Sequence, residues 1–392
     1  MKKMVKLSEL CVVNMGQSPE SESYNTETIG LPFYQGNVDF GCLHPKNRIW
    51  CSSPKKIANT EDILLSVRAP IGAVNIAAEK CCIGRGLAGL TPRKEICEKK
   101  YLYYLLKSAR EKLNNSGTGS TFKAINKGTI EDLLIPHYSL QQQRRISEKL
   151  DKISDLIILN NKQLKKLDEL VKSLFIEMFG VIYDNTKKFS EISFKNCVKS
   201  SLRGPFGSDM KKSLYVTKAR DSFKVYTQIN AIQKDQTLGD YYISSEYYIS
   251  KMNKFELFPD EYIITCDGTL GKLLKMDSNM EKGVISSSLL KLKLDYDTIN
   301  DAYFIEFWNS YLLPILKFEA RNACLVHLPS MKVIGEKKVP IPPLNLQNQF
   351  AERVTQIDKS KFVVLKSLKI NLELLLKVSI NERLISEVKN NE

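Results

Sequence analysis

Residues 135–146, Ile-Pro-His-Tyr-Ser-Leu-Gln-Gln-Gln-Arg-Arg-Ile, have a counterpart in residues 339–350, Val-Pro-Ile-Pro-Pro-Leu-Asn-Leu-Gln-Asn-Gln-Phe. Both stretches share the spacing Pro-x-x-x-Leu-x-x-Gln, with a further apolar residue three positions after the glutamine. After each stretch, apolar residues recur every three or four positions, which is typical of a long amphipathic helix. The chain therefore contains the same junction twice, a strand-like segment that leads into a helix.

The repeat extends upstream of these junctions. Residues 62–72 resemble residues 261–271, and the Gln-x-Asn of residues 35–37 recurs at residues 228–230. The distance between matched positions drifts by a few residues, as loop insertions would cause. Because short solenoid repeats are far smaller than this unit, the sequence predicts two whole domains, each followed by its own helix.

The composition indicates a core-forming protein with a positive electrostatic field. Of the 392 residues, 43% are hydrophobic and 26% charged, which suits a chain of two or three domains. The sequence has neither a long uncharged apolar stretch nor the apolar segment of a secretory signal, so we expect a cytoplasmic protein. The nine cysteines form no CxxC pair and are expected to be reduced and mostly buried. The formal net charge of +14 would attract a polyanion such as nucleic acid, but a lysine-rich proteome would give the same charge.

Two long helices are predicted, one over residues 139–180 and one over residues 341–392. Their apolar positions alternate in steps of four and three, which is the seam of a coiled coil. Asn160 and Asn371 interrupt the seams, and such polar residues fix register at a cost in stability. The predicted seam positions are Ile146, Leu150, Ile153, Ile157, Asn160, Leu164, Leu167, Val171, Phe350, Val354, Ile357, Val364, Leu368, Asn371 and Leu375.

A single amphipathic helix cannot bury its own seam, so pairing of the two helices within the chain is the simplest solution. Duplicated domains can be related by a pseudo-twofold axis, which makes such a pair antiparallel. We therefore predict an α+β fold, in which two repeated mixed α/β domains are separated by two long helices that form an antiparallel coiled coil with pseudo-twofold symmetry. Inside the first domain we predict strands at Ile63–Val67 and Ile71–Ile76 and a helix at Tyr101–Leu113.

No catalytic constellation is visible in the sequence. Gly268–Leu273 comes nearest to a Walker motif, but its spacing is wrong and no hydroxyl follows its lysine. The three histidines, His44, His137 and His327, are far apart, and none stands in an HExxH motif. The Asn-Pro-Pro-Tyr and Asp-Pro-Pro-Tyr motifs of amino-methyltransferases are absent. The sequence thus favours a binding subunit, without catalytic or metal-binding residues, over an enzyme.

The repeated junction, Ile-Pro-x-x-x-Leu-x-x-Gln-x-x-Ile, resembles that of the specificity subunit of type I restriction–modification systems. The resemblance covers essentially the full chain, and two copies at the ends of repeated domains make it specific. The residue before the glutamine is usually Glu in that family, whereas this chain has Gln142 in the first copy and Leu346 in the second.

The resemblance implies target recognition domains at residues 1–138 and 181–340, with conserved spacer helices at 139–180 and 341–392. Each domain would read one half of a bipartite, asymmetric site in double-stranded DNA. The helices would bind two methyltransferase subunits, and the restriction and translocase subunits would join this core. The chain itself would be non-catalytic, and S-adenosylmethionine, ATP and Mg²⁺ would belong to its partners.

Readout of DNA needs hydrogen-bonding side chains on exposed loops. Arg68 follows an apolar strand and Arg85 lies between two glycines, so each can present its guanidinium to guanine. The glycine-rich loop at residues 117–121 could cradle a phosphate, and the nearby lysines are expected to contact the DNA backbone. The candidates in the first domain are Gln17, Ser18, Gln35, Asn37, Arg68, Arg85, Ser120, Thr121, Lys123 and Lys127.

In the second domain, Asp267 replaces Arg68 and Ser287 replaces Arg85, so equivalent loops offer opposite chemistry. A carboxylate can accept a hydrogen bond from cytosine N4 but cannot bind guanine, so the two half-sites should differ. The Gln-x-Asn pattern survives in both repeats and also fits an internal structural role. The candidates here are Arg203, Ser208, Gln228, Asn230, Asp267, Thr269, Ser286, Ser287, Arg321 and His327.

Other functions stay open on the sequence alone. One is a catalytic nuclease or methyltransferase of unfamiliar type. A second is a coiled-coil scaffold that binds only protein, although diverged repeated loops make little sense in a scaffold. A third keeps the fold and assigns the chain to another phage-defence or type II-like restriction complex.

Overall fold

The structure is a computed structural model that describes residues 3–117, 123–322 and 327–380. The chain divides into two compact units, which we call unit 1 (residues 1–162 and 364–392) and unit 2 (residues 163–363). Each unit holds one mixed region of strands and short helices together with part of both long helices. The α+β class predicted from the sequence is confirmed.

Unit 1 contains three sheets. Its strands are β1 Lys3–Lys6, β2 Cys11–Met15, β3 Tyr24–Asn25, β4 Leu31–Tyr34, β5 Trp50–Cys51, β6 Ile57–Ala58, β7 Ile63–Ser66, β8 Val74–Ile76, β9 Cys81–Ile83, β10 Leu87–Pro92 and β11 Leu134–His137. Its helices are α1 Leu7–Leu10, α2 Lys99–Ser108, α3 Arg110–Asn115 and α4 Lys127–Glu131. The long helix α5 spans Leu140–Phe179, and its first part, up to residue 162, belongs to unit 1. The strand orders are β1-β11, β2-β10-β7-β8 and β3-β5-β4-β9-β6, with β4 and β9 parallel.

Unit 2 repeats this plan. Its strands are β12 Glu191–Ser193, β13 Val198–Arg203, β14 Phe223–Tyr226, β15 Tyr242–Ile243, β16 Glu256–Leu257, β17 Tyr262–Thr265, β18 Leu273–Lys275, β19 Gly283–Ile285, β20 Leu289–Leu294 and β21 Lys338–Pro340. Its helices are α6 Gln228–Gln233, α7 Ser245–Tyr247, α8 Asp301–Phe307, α9 Leu313–Asn322 and α10 Met331–Glu336. The long helix α11 spans Leu344–Ile380, and its first part, up to residue 363, belongs to unit 2. The orders β12-β21 and β13-β20-β17-β18 match the first two sheets of unit 1, and β15-β14-β19-β16, with β14 and β19 parallel, resembles the third but has four strands where unit 1 has five.

Two predicted elements of unit 1 differ from the sequence expectation. The helix predicted at Tyr101–Leu113 is wrong in its continuity, because Ala109 (φ −78°, ψ 1°) separates α2 from α3. The Ser108 hydroxyl donates to the Leu105 carbonyl at 2.7 Å, and such side-chain bonds compete with helical ones. The strand predicted from Ile71 begins only at Val74, because Gly72 (φ +85°) forms a turn.

The repeated glutamine is the buried centre of each junction. In unit 1, Gln143 is fully buried, and its Oε1 accepts from the Glu98 N–H at 2.7 Å. Its Nε2 donates to the carbonyls of Ile96 and Tyr138, each at 2.8 Å. The amide therefore ties the first turn of α5 to the turn that precedes α2. An apolar side chain would leave three buried main-chain groups without partners.

Gln347 repeats these contacts in unit 2. Its Oε1 accepts from the Asn300 N–H at 2.9 Å, and its Nε2 donates to the Thr298 carbonyl at 3.0 Å and the Pro342 carbonyl at 2.8 Å. The side chain is fully buried. The start of α11 is thereby held against the turn that precedes α8, as the start of α5 is held against the turn before α2.

The flanking positions of the junctions are also built alike. The Tyr101 hydroxyl donates to the Pro136 carbonyl at 2.8 Å, and the Tyr303 hydroxyl donates to the Pro340 carbonyl at 2.9 Å. In the first junction, the Gln142 Oε1 accepts from the Ser139 N–H at 3.2 Å, which caps α5. The Gln142 N–H in turn donates to the Ser139 hydroxyl at 3.3 Å, so the two side chains cap the helix reciprocally.

The long helices pack against each other within each unit. In unit 2, Phe179 packs on Phe350, and the Lys361 ammonium lies 2.9 Å from the Asp168 carboxylate. The paired residue numbers rise on α5 as they fall on α11, so these two stretches are antiparallel. In unit 1, the Asn160 Nδ2 donates to the Ser367 hydroxyl at 3.2 Å.

All predicted seam positions are withdrawn from solvent to some degree. The buried ones are Leu150, Asn160, Val171, Phe350, Val364 and Asn371. The half-buried ones are Ile146, Ile153, Ile157, Leu164, Leu167, Val354, Ile357, Leu368 and Leu375. Gly180, with φ +74°, follows the last residue of α5 and so takes the left-handed conformation that commonly ends a helix.

We expect Gln347→Met to lower the free energy of unfolding by about 3 kcal/mol, because methionine leaves one buried N–H and two buried carbonyls unpaired. Urea denaturation followed by circular dichroism measures this loss. Gln349→Met is the matched control, since Gln349 lies on the same helix and is exposed. Equal stability of the two variants would contradict the role of the buried amide.

Candidate nucleic-acid interface

One edge of the four-stranded sheet of unit 1 gathers several loops. Since β10 runs antiparallel to β2 and β7, the ends of β2 and β7 meet the start of β10. Main-chain hydrogen bonds fix this edge, namely Gly16 N–H to Leu87 O at 2.9 Å, Val67 N–H to Gly86 O at 2.9 Å, Ile125 N–H to Val67 O at 3.0 Å and Gly84 N–H to Tyr34 O at 2.9 Å. We call the loops that these bonds join, residues 16–18, 67–68, 84–86 and 123–125, together with Gln35, the first edge.

Unit 2 has the same edge with the same main-chain bonds. These are Gly204 N–H to Leu289 O at 2.8 Å, Cys266 N–H to Ser288 O at 2.9 Å, Leu328 N–H to Cys266 O at 2.8 Å and Ser286 N–H to Tyr226 O at 2.9 Å. We call residues 204–208, 266–269, 286–288 and 327–328, together with Arg203, the second edge. The matched bonds make Asp267 the equivalent of Arg68, Ser287 the equivalent of Arg85, and His327 the equivalent of Ala124.

The structure brings four of the predicted residues of unit 1 together on the first edge. The Gln35 Nε2 donates to the Ser18 hydroxyl at 3.0 Å, and the same hydroxyl oxygen accepts from the Arg85 N–H at 3.3 Å. Gln17 joins them through its N–H, which donates to the Ile83 carbonyl at 3.0 Å. A Cβ on Gly84 would lie 2.3 Å from the Gln35 Oε1, so a larger residue at this position would displace the Gln35 side chain.

The first edge also presents exposed cations. Arg68 pairs through its main chain with Ala124, which places Lys123 beside it, and all the basic side chains of this edge are exposed. Among the described residues, Arg68, Arg85 and Lys123 have no carboxylate within salt-bridge distance. Their charges are therefore available to an external anion.

Four predicted residues of unit 1 do not join this cluster. Asn37 lies in a short turn, Asn37–Asp39, that follows Gln35. Lys127 lies on α4, where its ammonium is 3.5 Å from the Glu131 carboxylate. Ser120 and Thr121 lie outside the described residues.

The second edge carries a bound set of three charged or titratable side chains. The Asp267 Oδ1 accepts from the Arg203 Nη2 at 3.0 Å and lies 2.6 Å from the His327 Nδ1. The Arg203 Nη1 donates to the Leu328 carbonyl at 3.0 Å. The His327 side chain is 64% exposed, against 39% for Arg203 and 31% for Asp267. The carboxylate that the sequence offered as an acceptor for cytosine is therefore already engaged within the protein.

Cys266 separates the strand β17 from this cluster. Burial raises the pKa of its thiol to about 11, although the neighbouring Arg203 opposes the shift. At neutral pH the sulfur is therefore a protonated thiol, which is a weak nucleophile. Cys266 contributes packing to the second edge and no covalent chemistry.

The second edge is also lined by hydroxyl groups. The Ser286 hydroxyl lies 3.3 Å from that of Ser288, and the Thr269 carbonyl accepts from the Thr265 hydroxyl. Ser208 and Thr269 are exposed and Ser287 is half-buried. Such groups can donate to or accept from base edges and phosphates.

The repeated Gln-x-Asn has a structural role at its asparagine in unit 2. Asn230 is fully buried, and its side chain forms a capping box with Thr227 at the start of α6. Its Nδ2 donates to the carbonyls of Asp235 and Leu238 at 3.0 and 2.8 Å. Gln228 lies half-buried at the first position of that helix. Arg321 lies in α9, and its side chain is outside the described residues.

Phe206 is a residue of this edge that the sequence reasoning missed. It is 84% exposed and lies in the loop after Arg203, between Gly204-Pro205 and Gly207. An exposed phenyl ring can stack on a base or contact the methyl group of thymine. The run Gly-Pro-Phe-Gly was the available signal, because an aromatic residue between turn-forming residues has few core neighbours.

Within the described ranges, no group of three or more His, Cys, Asp or Glu side chains is placed to hold a metal ion. In the same part of the chain, no helix combines the length and the apolar character needed to cross a bilayer.

Comparison with known proteins adds an independent line of evidence. Residues 2–169 match a family model described as the type I restriction modification DNA specificity domain. The chain is 42% identical over 160 residues to the putative type I restriction enzyme MjaX specificity subunit of Methanocaldococcus jannaschii, an alignment that covers 41% of this chain and 38% of the relative. It is 30% identical over 175 residues to the MjaIX specificity subunit of the same organism, covering 44% and 38%. These alignments thus span about two fifths of the length of the relatives.

A solved structure agrees over the whole chain. The S subunit of a type I restriction–modification system from M. genitalium superposes with a TM-score of 0.52 at 18% identity, covering 97% of this chain and 96% of that one. At this level of identity the likeness shows a shared fold.

Gly204 lies against the main chain of Ser286, in the segment between β19 and β20, and this contact tests the packing of the second edge. We expect Gly204→Ala to lower the free energy of unfolding by about 2 kcal/mol, because an added Cβ would lie 1.9 Å from the Ser286 carbonyl oxygen and would push the loop outward. Gly207→Ala is the control, since its Cβ would meet nothing within 4 Å. Thermal unfolding of both variants measures the difference, and a larger loss in Gly207→Ala would refute the packing described here.

Proposed function

We propose that this chain, which belongs to the specificity-subunit family of type I restriction–modification systems, reads a bipartite asymmetric DNA sequence for a modification and restriction complex. One observation carries the proposal. Two edges with the same main-chain frame present different side chains, and a frame that varies only in its polar contacts suits the reading of two different sequences.

The first edge fits a base or phosphate surface electrostatically. Arg68 and Arg85 project from loops that main-chain bonds hold in place, and neither is neutralised by a described carboxylate. A guanidinium on such a loop can form two hydrogen bonds to guanine O6 and N7. Lys123 beside them fits a phosphate, whose contacts position a protein without reading sequence.

The second edge fits a different half-site. Its Arg203 is held by Asp267, so the unpaired cations of the first edge have no counterpart at the matched positions. Hydroxyl groups, an imidazole and the exposed Phe206 remain on its surface. Because the available donors and acceptors differ, we propose that the two half-sites have different sequences.

The long helices are proposed to bind the partner subunits. In unit 2, Phe362 and Val363 on α11 are 68% and 66% exposed, although they lie on a helix whose seam residues are covered. In unit 1, Leu156, Ile158 and Leu159 on α5 are similarly exposed. Apolar residues in such groups are typical of protein–protein interfaces. We assign them to two methyltransferase subunits, with restriction and translocase subunits joining the complex.

The proposed division of labour leaves this chain without catalysis. S-adenosylmethionine would supply the methyl group on a methyltransferase subunit, while ATP and Mg²⁺ would serve the translocase and nuclease. The residues of this chain would select the sequence and hold the DNA in register. The cytoplasm, where the DNA is, would be the site of assembly.

Modified-base sequencing tests the proposed readout. We expect the chain, co-expressed with its methyltransferase subunit, to direct methylation to a two-part, non-palindromic sequence. Arg85→Ala should lower methylation about tenfold and relax the preference in one half only, since a lost guanine contact is worth roughly 1–3 kcal/mol. Lys94→Ala is the control, because Lys94 is exposed just beyond the opposite end of β10.

Three results would refute the proposal. The first is a palindromic sequence, and the second is methylation by the purified chain alone. The third is an equal effect of Arg85→Ala and Lys94→Ala.

Co-purification tests the proposed helix interface. We expect Phe362→Asp combined with Val363→Asp to abolish retention of a tagged methyltransferase subunit, because burial of carboxylates in an apolar interface is unfavourable. Lys359→Asp provides the control, since Lys359 is an exposed residue of α11 in the same unit. Retention by the double variant with an unchanged far-ultraviolet spectrum would place the interface elsewhere.

A further inference from the structure

We infer that His327 is the base-reading side chain of the second edge, and that Asp267 and Arg203 position it so that its Nε2 accepts a hydrogen bond from an exocyclic amine, cytosine N4 or adenine N6. The inference rests on the proposed function and deepens it. It names one reading atom and the chemical group that this atom recognises.

The contact with Asp267 sets the tautomer of the His327 imidazole. The Asp267 Oδ1 lies 2.6 Å from the His327 Nδ1, and an ionised carboxylate can only accept a hydrogen bond. The proton must therefore reside on Nδ1. In the neutral ring, Nε2 then carries a lone pair and acts as an acceptor.

Hydrogen bonds of the neighbouring residue Leu328 hold the His327 ring in position. The Arg203 Nη1 donates to the carbonyl of Leu328, the residue after His327, at 3.0 Å. The Leu328 N–H donates to the Cys266 carbonyl at 2.8 Å. The segment that carries the histidine is thus fixed on both faces of its main chain, and the ring is fixed at Nδ1. Such support is what a recognition side chain needs to hold one geometry.

The His327 imidazole is the part of this cluster that is most open to an external ligand. Both Arg203 Nη2 and His327 Nδ1 use the Oδ1 of Asp267, so this oxygen is committed within the protein, whereas Oδ2 has no described partner on a side chain that is only 31% exposed. His327 is the most exposed member of the set, at 64%, so its Nε2, which also has no described partner, is the acceptor more open to an external donor. In the major groove, cytosine N4 and adenine N6 are donors, whereas guanine O6 and N7 and thymine O4 are acceptors. An acceptor at Nε2 selects the amine bases.

The first edge lacks this arrangement of side chains. The matched positions there are Met15, Arg68 and Ala124, which contain neither a carboxylate nor an imidazole. The arrangement is therefore confined to the second edge. Its loss should alter one position in one half of the recognised sequence.

Nitrogen-15 spectroscopy of the full chain tests the tautomer without any DNA. The chain has only three histidines, so imidazole correlations of histidine-labelled protein can be assigned, that of His327 by its loss in His327→Gln. We expect His327 to be protonated at Nδ1 and not at Nε2 in the wild type, and to lose this preference in Asp267→Ala. Protonation at Nε2, alone or together with Nδ1, would overturn the inference.

Two controls keep this experiment interpretable. His44 reports on general damage, because its Nδ1 lies 2.9 Å from the Ile76 carbonyl in unit 1 and should keep its state in every variant. Asp260→Asn removes a carboxylate that lies 3.0 Å from the Lys275 ammonium, just before β17, whereas Asp267 follows that strand. It should leave the His327 signal unchanged, while Asp267→Asn, which keeps the size of the side chain, should change it.

Selection from a pool of random-sequence duplexes tests the readout. We expect the complex of the full chain with its methyltransferase subunit to prefer cytosine or adenine at one position, and His327→Ala and Asp267→Ala to reduce that preference about five- to tenfold. Preferences at the other positions should persist. Unchanged selectivity in His327→Ala would overturn the inference, whereas absence of any selectivity in the wild type would overturn the proposed function itself.

Discussion

The architecture depends on a buried glutamine amide at the start of each long helix. Gln143 and Gln347 each satisfy one N–H and two carbonyls that would otherwise be buried without partners. An unpaired buried polar group costs more than its hydrogen bond contributes, so the first turn of the helix and the domain must be placed together. The spacing Pro-x-x-x-Leu-x-x-Gln occurs twice with the same contacts: the proline carbonyl accepts from a tyrosine of the short helix α2 or α8, and the glutamine amide binds the turn that precedes that helix.

The first edge and the second edge depend on another constraint, which is that main-chain atoms alone build the frame of each. Within each edge, four hydrogen bonds at equivalent positions join the loops to one another and to the sheets. None of these bonds uses a side chain. Arg68 and Asp267 can therefore stand at equivalent positions without disturbing the sheets. Glycine is needed where an added Cβ would meet a main-chain oxygen, at Gly16, 2.2 Å from the Gly84 carbonyl oxygen, and at Gly204, 1.9 Å from the Ser286 carbonyl oxygen. The remaining edge positions are free to change their chemistry.

The sequence predicted the duplication, the α+β class and the two long helices, because hydrophobic periodicity and a repeated junction are visible over neighbouring residues. It could not predict that Asp267 is occupied, since Arg203 and His327 lie about 60 residues away on either side. Contacts across such distances depend on the register of strands, which a single sequence does not reveal. The sequence leaves two roles open for Asn230 for another reason: its partners Thr227, Asp235 and Leu238 are close in sequence, but the pattern Gln-x-Asn does not show that they enclose the amide.

The cluster at the second edge indicates how one edge can differ from the other. A lone carboxylate on a DNA-facing loop would be repelled by phosphates, because binding to DNA is dominated by its negative backbone. Asp267 avoids this penalty through the adjacent Arg203 guanidinium, and its remaining effect is to orient His327. An exchange of Arg68-type for Asp267-type chemistry thus requires three positions to change together, as Met15, Arg68 and Ala124 differ from Arg203, Asp267 and His327. Under the proposed readout of DNA, specificity on this frame is a property of side-chain groups, and a single exchange of Arg for Asp should weaken binding without creating a new preference.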